Sequence, residues 1–332
     1  MKQAERICLQ GILNHCYQRS RNGFLLFYSV SDYLVYFTLF CITAVKYGVR
    51  VLELCLMPDH IHASVIVNRR EDLSAFFSEV SRRYARSNNS VCRMEGSLFE
   101  SPFGSAPKIG AKKARTNLIY LGNNPVERQL AEKAEDYQWN FLAYARSAHP
   151  FSEPLVIRKA SWPLRRAIRE ISSLHKSGQP VSYPLLKRLS EPLDRRETRQ
   201  LTDWIIQKYN IIDYDAAARC FDGFDRMLEA MHTNTGSEYD LNEIFTGKSD
   251  ACYARMISKT MQILQIQDIH ELFALNEEER LRLFPALLRV KDATPEQVAK
   301  FLRIVLKRRD TDREMEIPDS QRHPENQFPH LG

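Results

Sequence analysis

The chain has 332 residues, 44% of them hydrophobic, which excludes wholesale disorder and is more than one ordinary core holds, so two or three folded units are expected. Lys plus Arg is 47 against 41 Asp plus Glu, a net charge of +6; this leans toward acidic partners, although a merely basic solvated surface gives the same balance. Seven cysteines without a Cys-x-x-Cys pair read as free thiols of a reducing compartment. The opening MKQAERICLQG lacks the apolar core of a secretory signal, and the most apolar run, 33–45, is too short to span a bilayer. A cytoplasmic, chromosome-associated protein that engages no membrane is therefore expected. Residues 6–16 read as a strand, and 31–48 as a helix opened by Ser31 or Asp32 and closed by Gly48. Residues 50–57 alternate as a strand, Pro58 and Asp59 make a turn, and 60–67 form the next strand. A helix is expected over 71–87, a Gly-, Pro- and Ser-rich loop over 95–110, and a short helix over 114–123 stopped by Pro125. After Pro150 strand patterns cease. Amphipathic helices follow at 162–176, 184–190, 194–208, 213–231, 250–266, 277–289 and 295–306, and a polar tail begins at Asp310.

Two stretches carry chemistry. In Met57-Pro58-Asp59-His60-Ile61-His62 the strand period of two projects His60 and His62 from one face and turns Ile61 to the core. Two adjacent imidazoles make a platform for a divalent metal, although a bare His-x-His is more often two structural histidines. Ala63-Ser64-Val65 follows, without the further Asp-His of binuclear zinc hydrolases or a third alternating His, and no Cys or His stands at zinc-ligand spacing. Open coordination positions suit a harder ion that also holds a phosphate oxygen. The second stretch, TNLIYLGNNPVER (116–128), places Tyr120 and Asn124 four residues apart, on one helical face wherever Pro125 allows it. A tyrosine can attack a phosphate and hold the 5′ end, but with 14 tyrosines in the chain Tyr120 on its own reads far more readily as a packed helix residue.

The two stretches together, MPDHIH on a strand and Tyr-x-x-x-Asn-Pro-Val some 60 residues later, resemble the REP-associated tyrosine transposases, a branch of the single-tyrosine HUH superfamily. The resemblance covers roughly residues 1–150. It implies a ferredoxin-like HUH domain with an antiparallel sheet and flanking helices; with the helical pattern after Pro150, the expected fold class is α+β with an all-helical C-terminal region. It also implies Mg2+ or Mn2+ on His60 and His62, Tyr120 as the nucleophile, and Asn124 as the polar residue completing the metal site. Gly122, within Tyr-Leu-Gly-Asn-Asn-Pro, departs from the family's Tyr-Ile-x-x-Asn-Pro. The segment SRRYARSNN (81–89) resembles the family's helix before the tyrosine, with Tyr84 read as packing or DNA contact.

The expected partner is single-stranded or hairpin DNA. Arg82, Arg83 and Arg86 on one helix, and Lys108, Lys112, Lys113 and Arg115 leading into the tyrosine helix, suit a backbone groove. Phe99 and Phe103 anchor the intervening loop or stack bases. Arg158, Lys159, Arg165, Arg166 and Arg169 extend the track or solvate a helix face. Near the C-terminus, residues 279–309 pattern as a helix-turn-helix or a plain helical hairpin. Thr294 would cap the second helix, Glu296, Gln297 and Lys300 would face outward, and Lys307, Arg308 and Arg309 would meet phosphates. The expected organisation is an HUH domain over 1–150, helical units over 151–248 and 249–310, and a disordered tail over 311–332, as a monomer or homodimer. Two alternatives stay open: a DNA-hairpin binder without catalysis, and a metal phosphoesterase that uses water.

Overall fold

The computed structural model describes residues 7–233 and 249–306. Four strands, β1 (Asn14–Arg19), β2 (Arg50–Leu56), β3 (His60–Ile66) and β4 (Gly104–Pro107), form one antiparallel sheet in the order β2-β3-β1-β4. Helix α1 (Val30–Lys46) joins β1 to β2, α2 (Arg70–Cys92) joins β3 to β4, and α3 (Ala111–Glu127) follows β4. Then come α4 (Trp162–Lys176), α5 (Tyr183–Ser190), α6 (Arg195–Tyr209), α7 (Tyr214–Ala218), α8 (Phe224–Thr233), α9 (Cys252–Leu264), α10 (Glu277–Arg282), α11 (Phe284–Leu288) and α12 (Pro295–Leu302). The fold is α+β. No helix among the described residues is long and apolar enough to cross a membrane.

Several boundaries differ from the sequence pattern. The first strand is Asn14–Arg19 rather than 6–16. The 95–110 loop contains β4, whose Gly, Ser, Ala and Pro have low strand propensity and become a strand by pairing with the edge of β1. Helix α3 runs through Pro125 to Glu127. A proline late in a helix costs one N–H bond and leaves a single turn to complete, closed here by Arg128 N–H donating to the Asn124 carbonyl at 3.1 Å. The 213–231 helix breaks around Gly223, and the 277–289 helix breaks at Leu283 before Pro285.

The period of two divides the sheet into unlike faces. Cys16, Leu54, Ile61, Ala63 and Val65 enter the largest core beneath α1 and α2, and Ser81 of α2 donates to Gln18 on that same face at 2.9 Å. The other face carries His15, Tyr17, Glu53, His60, His62 and Ser64, paired in register as His15 with Ser64 and Tyr17 with His62. Helix α3 covers it, and Asn117 donates to Ser64 Oγ at 2.6 Å. Gly104 has no Cβ where one would stand 2.3 Å from the Tyr17 ring, so β4 can lie against that ring.

The helical half is built onto this sheet. Helices α4 to α6 share the core of α1, with Leu164, Ile168, Ile171, Leu201 and Ile205 among its buried members. Residues 212–213 cap the β2 edge: Ile212 bridges Val51, and Asp213 N–H donates to the Val51 carbonyl at 2.8 Å. A second core joins Leu25, Tyr28 and Cys92 to Met256, Phe273, Leu287, Val298, Phe301 and Leu302. All seven cysteines are free thiols.

Candidate active site

Strand β3 starts directly after a tight turn, and Met57 N–H donates to the His60 carbonyl at 2.9 Å to close it. His60 and His62 therefore stand side by side on the α3 face, with ring centroids 4.8 Å apart and planes at 85°. Tyr120 descends from α3 beside His62, its ring 5.6 Å from that of His62 and 5.8 Å from that of His15. Asn124 lies one turn further along the same continuous helix, on the face that carries Tyr120. The three ring positions singled out in the sequence thus come together in space. Tyr120 is only 4% exposed and Asn124 3%.

Each histidine is held through Nδ1. His60 Nδ1 meets Asp59 Oδ1 at 2.6 Å, and His62 Nδ1 meets His15 Nε2 at 3.0 Å. Asp59 also accepts from Lys300 Nζ at 3.1 Å. Burial opposes the charge on Asp59, but the His60 ring with its hydrogen bond, then Lys300 and Arg128, outweigh it and hold the carboxyl well below the usual carboxylate range. Asp250, next in line, is shifted the other way by burial and by the Asp59 charge. Glu53, on the same sheet face, has a carboxyl pushed well up by burial, with neither oxygen hydrogen-bonded.

The chemistry of His60 is compatible with a divalent cation. His60 Nε2 is buried and has no hydrogen-bond partner, while Nδ1 is engaged, which is the arrangement of an imidazole whose Nε2 lone pair is the donor. Among the described residues no three His, Cys, Asp or Glu side chains form a metal-holding group.

The basic residues are less united than their spacing suggests. Lys112, Lys113 and Arg115 are exposed on the first turns of α3. Arg82, Arg83 and Arg86 lie on α2, across the sheet from Tyr120, so the two groups do not line one groove; Arg83 is also paired with Glu79 at 3.3 Å. Lys108 is not a surface contact: its side chain is 2% exposed and its N–H donates to the Leu13 carbonyl at 2.7 Å. Phe99, Phe103 and Tyr84 are packed, and the Tyr84 hydroxyl donates to the Leu26 carbonyl at 3.0 Å.

Thr294 caps α12 as expected, in a capping box with Gln297. The outward face expected of that helix is corrected at two places. Gln297 is buried and donates to the Ser249 carbonyl at 2.8 Å, and Lys300 turns to Asp59, leaving Glu296 exposed. Lys307, Arg308 and Arg309, and the turn expected over 234–244, lie outside the described residues.

Sequence reasoning missed His15, Asp59 and Asn117 as parts of this site. A strand placed on Asn14–Arg19 would have flagged His15 and Tyr17 as one polar face, whereas Asp59 reads in sequence only as a turn residue.

No protein-family model matches the chain, and no curated protein does. A solved structure of a REP-associated tyrosine transposase bound to a REP hairpin aligns with 44% of this chain and 87% of its own, at 15% identity and a TM-score of 0.38. That likeness is too slight to carry an argument about this chain.

Proposed function

We propose that this protein is a metal-dependent single-strand DNA endonuclease and strand transferase of the HUH tyrosine type. The observation that carries the reading is the meeting of His60, His62 and Tyr120, drawn from a strand and a helix some 60 residues apart, on one polar sheet face. The β-α-β-β-α-β order of the first four strands and two helices supports a ferredoxin-like platform for it.

The chain's own groups suit the chemistry in stated ways. Tyr120 Oη attacks the scissile phosphorus, the bond to the 3′ oxygen breaks, the 5′ phosphate stays on the tyrosine, and the phenol proton ends on the released 3′-OH. Attack by a second 3′-OH on the phosphotyrosine reverses these changes and joins strands. His60, His62 and Asn124 would hold Mg2+ or Mn2+, which when bound supplies polarisation of the phosphate. Lys112, Lys113 and Arg115 offer phosphate contacts at the entrance to the tyrosine helix.

A second reading, a DNA-hairpin binder without catalysis, is favoured by one observation: the Tyr120 ring is packed against His15 and His62, almost out of solvent. Denaturing gels with labelled single-stranded hairpins separate the two. The enzyme reading expects a divalent-metal-dependent covalent adduct with the wild type and none with Tyr120→Phe, at nearly unchanged binding. Adducts that persist in Tyr120→Phe reject Tyr120 as the nucleophile. Binding without any cleavage by the wild type selects the second reading.

A further inference from the structure

The histidine site continues into the C-terminal helices through one carboxylate. Asp59 divides its oxygens: Oδ1 accepts from His60 Nδ1 at 2.6 Å, and Oδ2 accepts from the Lys300 ammonium at 3.1 Å. Lys300 arrives from α12, 241 residues further along the chain. Its stem passes Gly23, where a Cβ would stand 3.2 Å from Lys300 Cε and 3.4 Å from Nζ, and where φ is +66°. Glycine suits both the close approach and the left-handed backbone.

Helix α12 is itself fixed. Thr294 caps it, Gln297 ties it to the Ser249 carbonyl, and Phe301 and Leu302 are wholly buried. Lys300 is 37% exposed, yet it is delivered by an anchored element rather than by a surface chain free to swing.

We infer that Lys300 is a positioning residue for His60, acting through Asp59. The inference rests on the reading of His60 as a metal ligand. An imidazole hydrogen-bonded to a carboxylate at Nδ1 keeps its proton there and its lone pair at Nε2. The carboxylate does this only while its rotamer keeps it at Nδ1. With His60 as its one side-chain partner, Asp59 can swing to another rotamer and leave Nδ1. Lys300 on Oδ2 removes that freedom. One of the two imidazoles is thus oriented from the C-terminal helices, and α12 belongs to the site it was expected to serve as a separate reader of DNA.

The test uses the full chain, labelled with 15N at histidine, as wild type, Lys300→Met and Lys300→Arg, with His60→Ala to assign the resonance. Two-bond nitrogen–proton correlations, taken at a pH where the spectra show a neutral ring, report the His60 tautomer without any metal. Mn2+ titration followed by electron paramagnetic resonance reports affinity separately. The expected result is a single Nδ1–H tautomer in the wild type, mixed tautomers in Lys300→Met with Mn2+ binding weakened about tenfold, and recovery of both in Lys300→Arg. A His60 tautomer unchanged in Lys300→Met, or already mixed in the wild type, overturns the inference. If the tautomer responds as expected but Mn2+ binding does not depend on His60, the positioning role stands and the metal reading fails. Lys300→Gln, which keeps a polar head, repeats the measurement on a second fold-checked variant should Lys300→Met melt early.

Discussion

His60 and His62 were legible because strand geometry needs only a spacing of two. His15 was not, because its place beside them depends on β1 pairing β3 in a particular register, with His15 opposite Ser64. His270 shows the same limit. Nothing near it in sequence marks it, yet its Nε2 meets Asp32 at 2.9 Å and its Nδ1 meets Asp268 at 2.6 Å. Burial works against a charge on His270, but the hydrogen bonds to Asp268 and Asp32 outweigh it, raising the pKa from 6.5 to about 10. Asp32 is held low in return, again against its burial. A group whose pKa is raised on folding stabilises fully below its unfolded pKa and loses that contribution as the pH climbs through the folded one. Urea denaturation of wild type and His270→Gln should therefore differ by about 3 kcal/mol near pH 6, as expected for breaking a buried pair. The gap should close progressively between 6.5 and about 10. A gap that is constant across that range removes the ion pair as its source.

The elements were legible where periodicity is long and were lost where tertiary pairing or a breaker decides. Helix α1 and strands β2 and β3 fall close to their expected bounds, and α4 lies at Trp162–Lys176 as patterned. The short β4 and the passage of α3 through Pro125 were not visible, since a four-residue edge strand has no pattern of its own and a proline usually ends a helix. Which element sits on which sheet face also lies beyond local sequence, and it changes the expected DNA track. Lys112, Lys113 and Arg115 stand on the helix of Tyr120, whereas Arg82, Arg83 and Arg86 stand on the helix behind the sheet. Changing the α3 trio to Gln should weaken single-stranded DNA binding and flatten its salt dependence by about 0.7 in log–log slope per lost phosphate contact. The same change to the α2 trio should leave the slope nearly as in the wild type. Equal losses from both trios would mean that the strand wraps the sheet edge and that the tyrosine face is not the binding face.

At the scale of the molecule, the change of texture after Pro150 is real, but the core does not stop there. Helix α1 is buried along almost its whole length, from Leu34 to Ala44, as a helix covered on several sides must be. Its far side is closed by α4 to α6, with Val181 N–H donating to Thr38 Oγ1 at 3.1 Å. Asp32, at the start of α1, gathers three parts of the chain: the Tyr28 and Ser29 amides at 2.8 Å, the Tyr183 hydroxyl at 2.6 Å and the His270 ring. Tyr28 in turn donates to the Phe301 carbonyl at 2.8 Å. A fragment of residues 1–150 would uncover the buried far side of α1 and the Leu25–Tyr28 segment together, and contiguous exposed apolar surface of this kind drives association. That fragment should elute as aggregate, or bind a hydrophobic dye and show poorly dispersed amide resonances. The full chain should unfold in one transition seen alike by circular dichroism and tyrosine fluorescence. A monomeric 1–150 fragment with a dispersed spectrum would show instead that the sheet and its three helices stand alone. The C-terminal helices would then be a cover added to a self-sufficient domain, rather than part of the structure that holds His60, His62 and Tyr120 together.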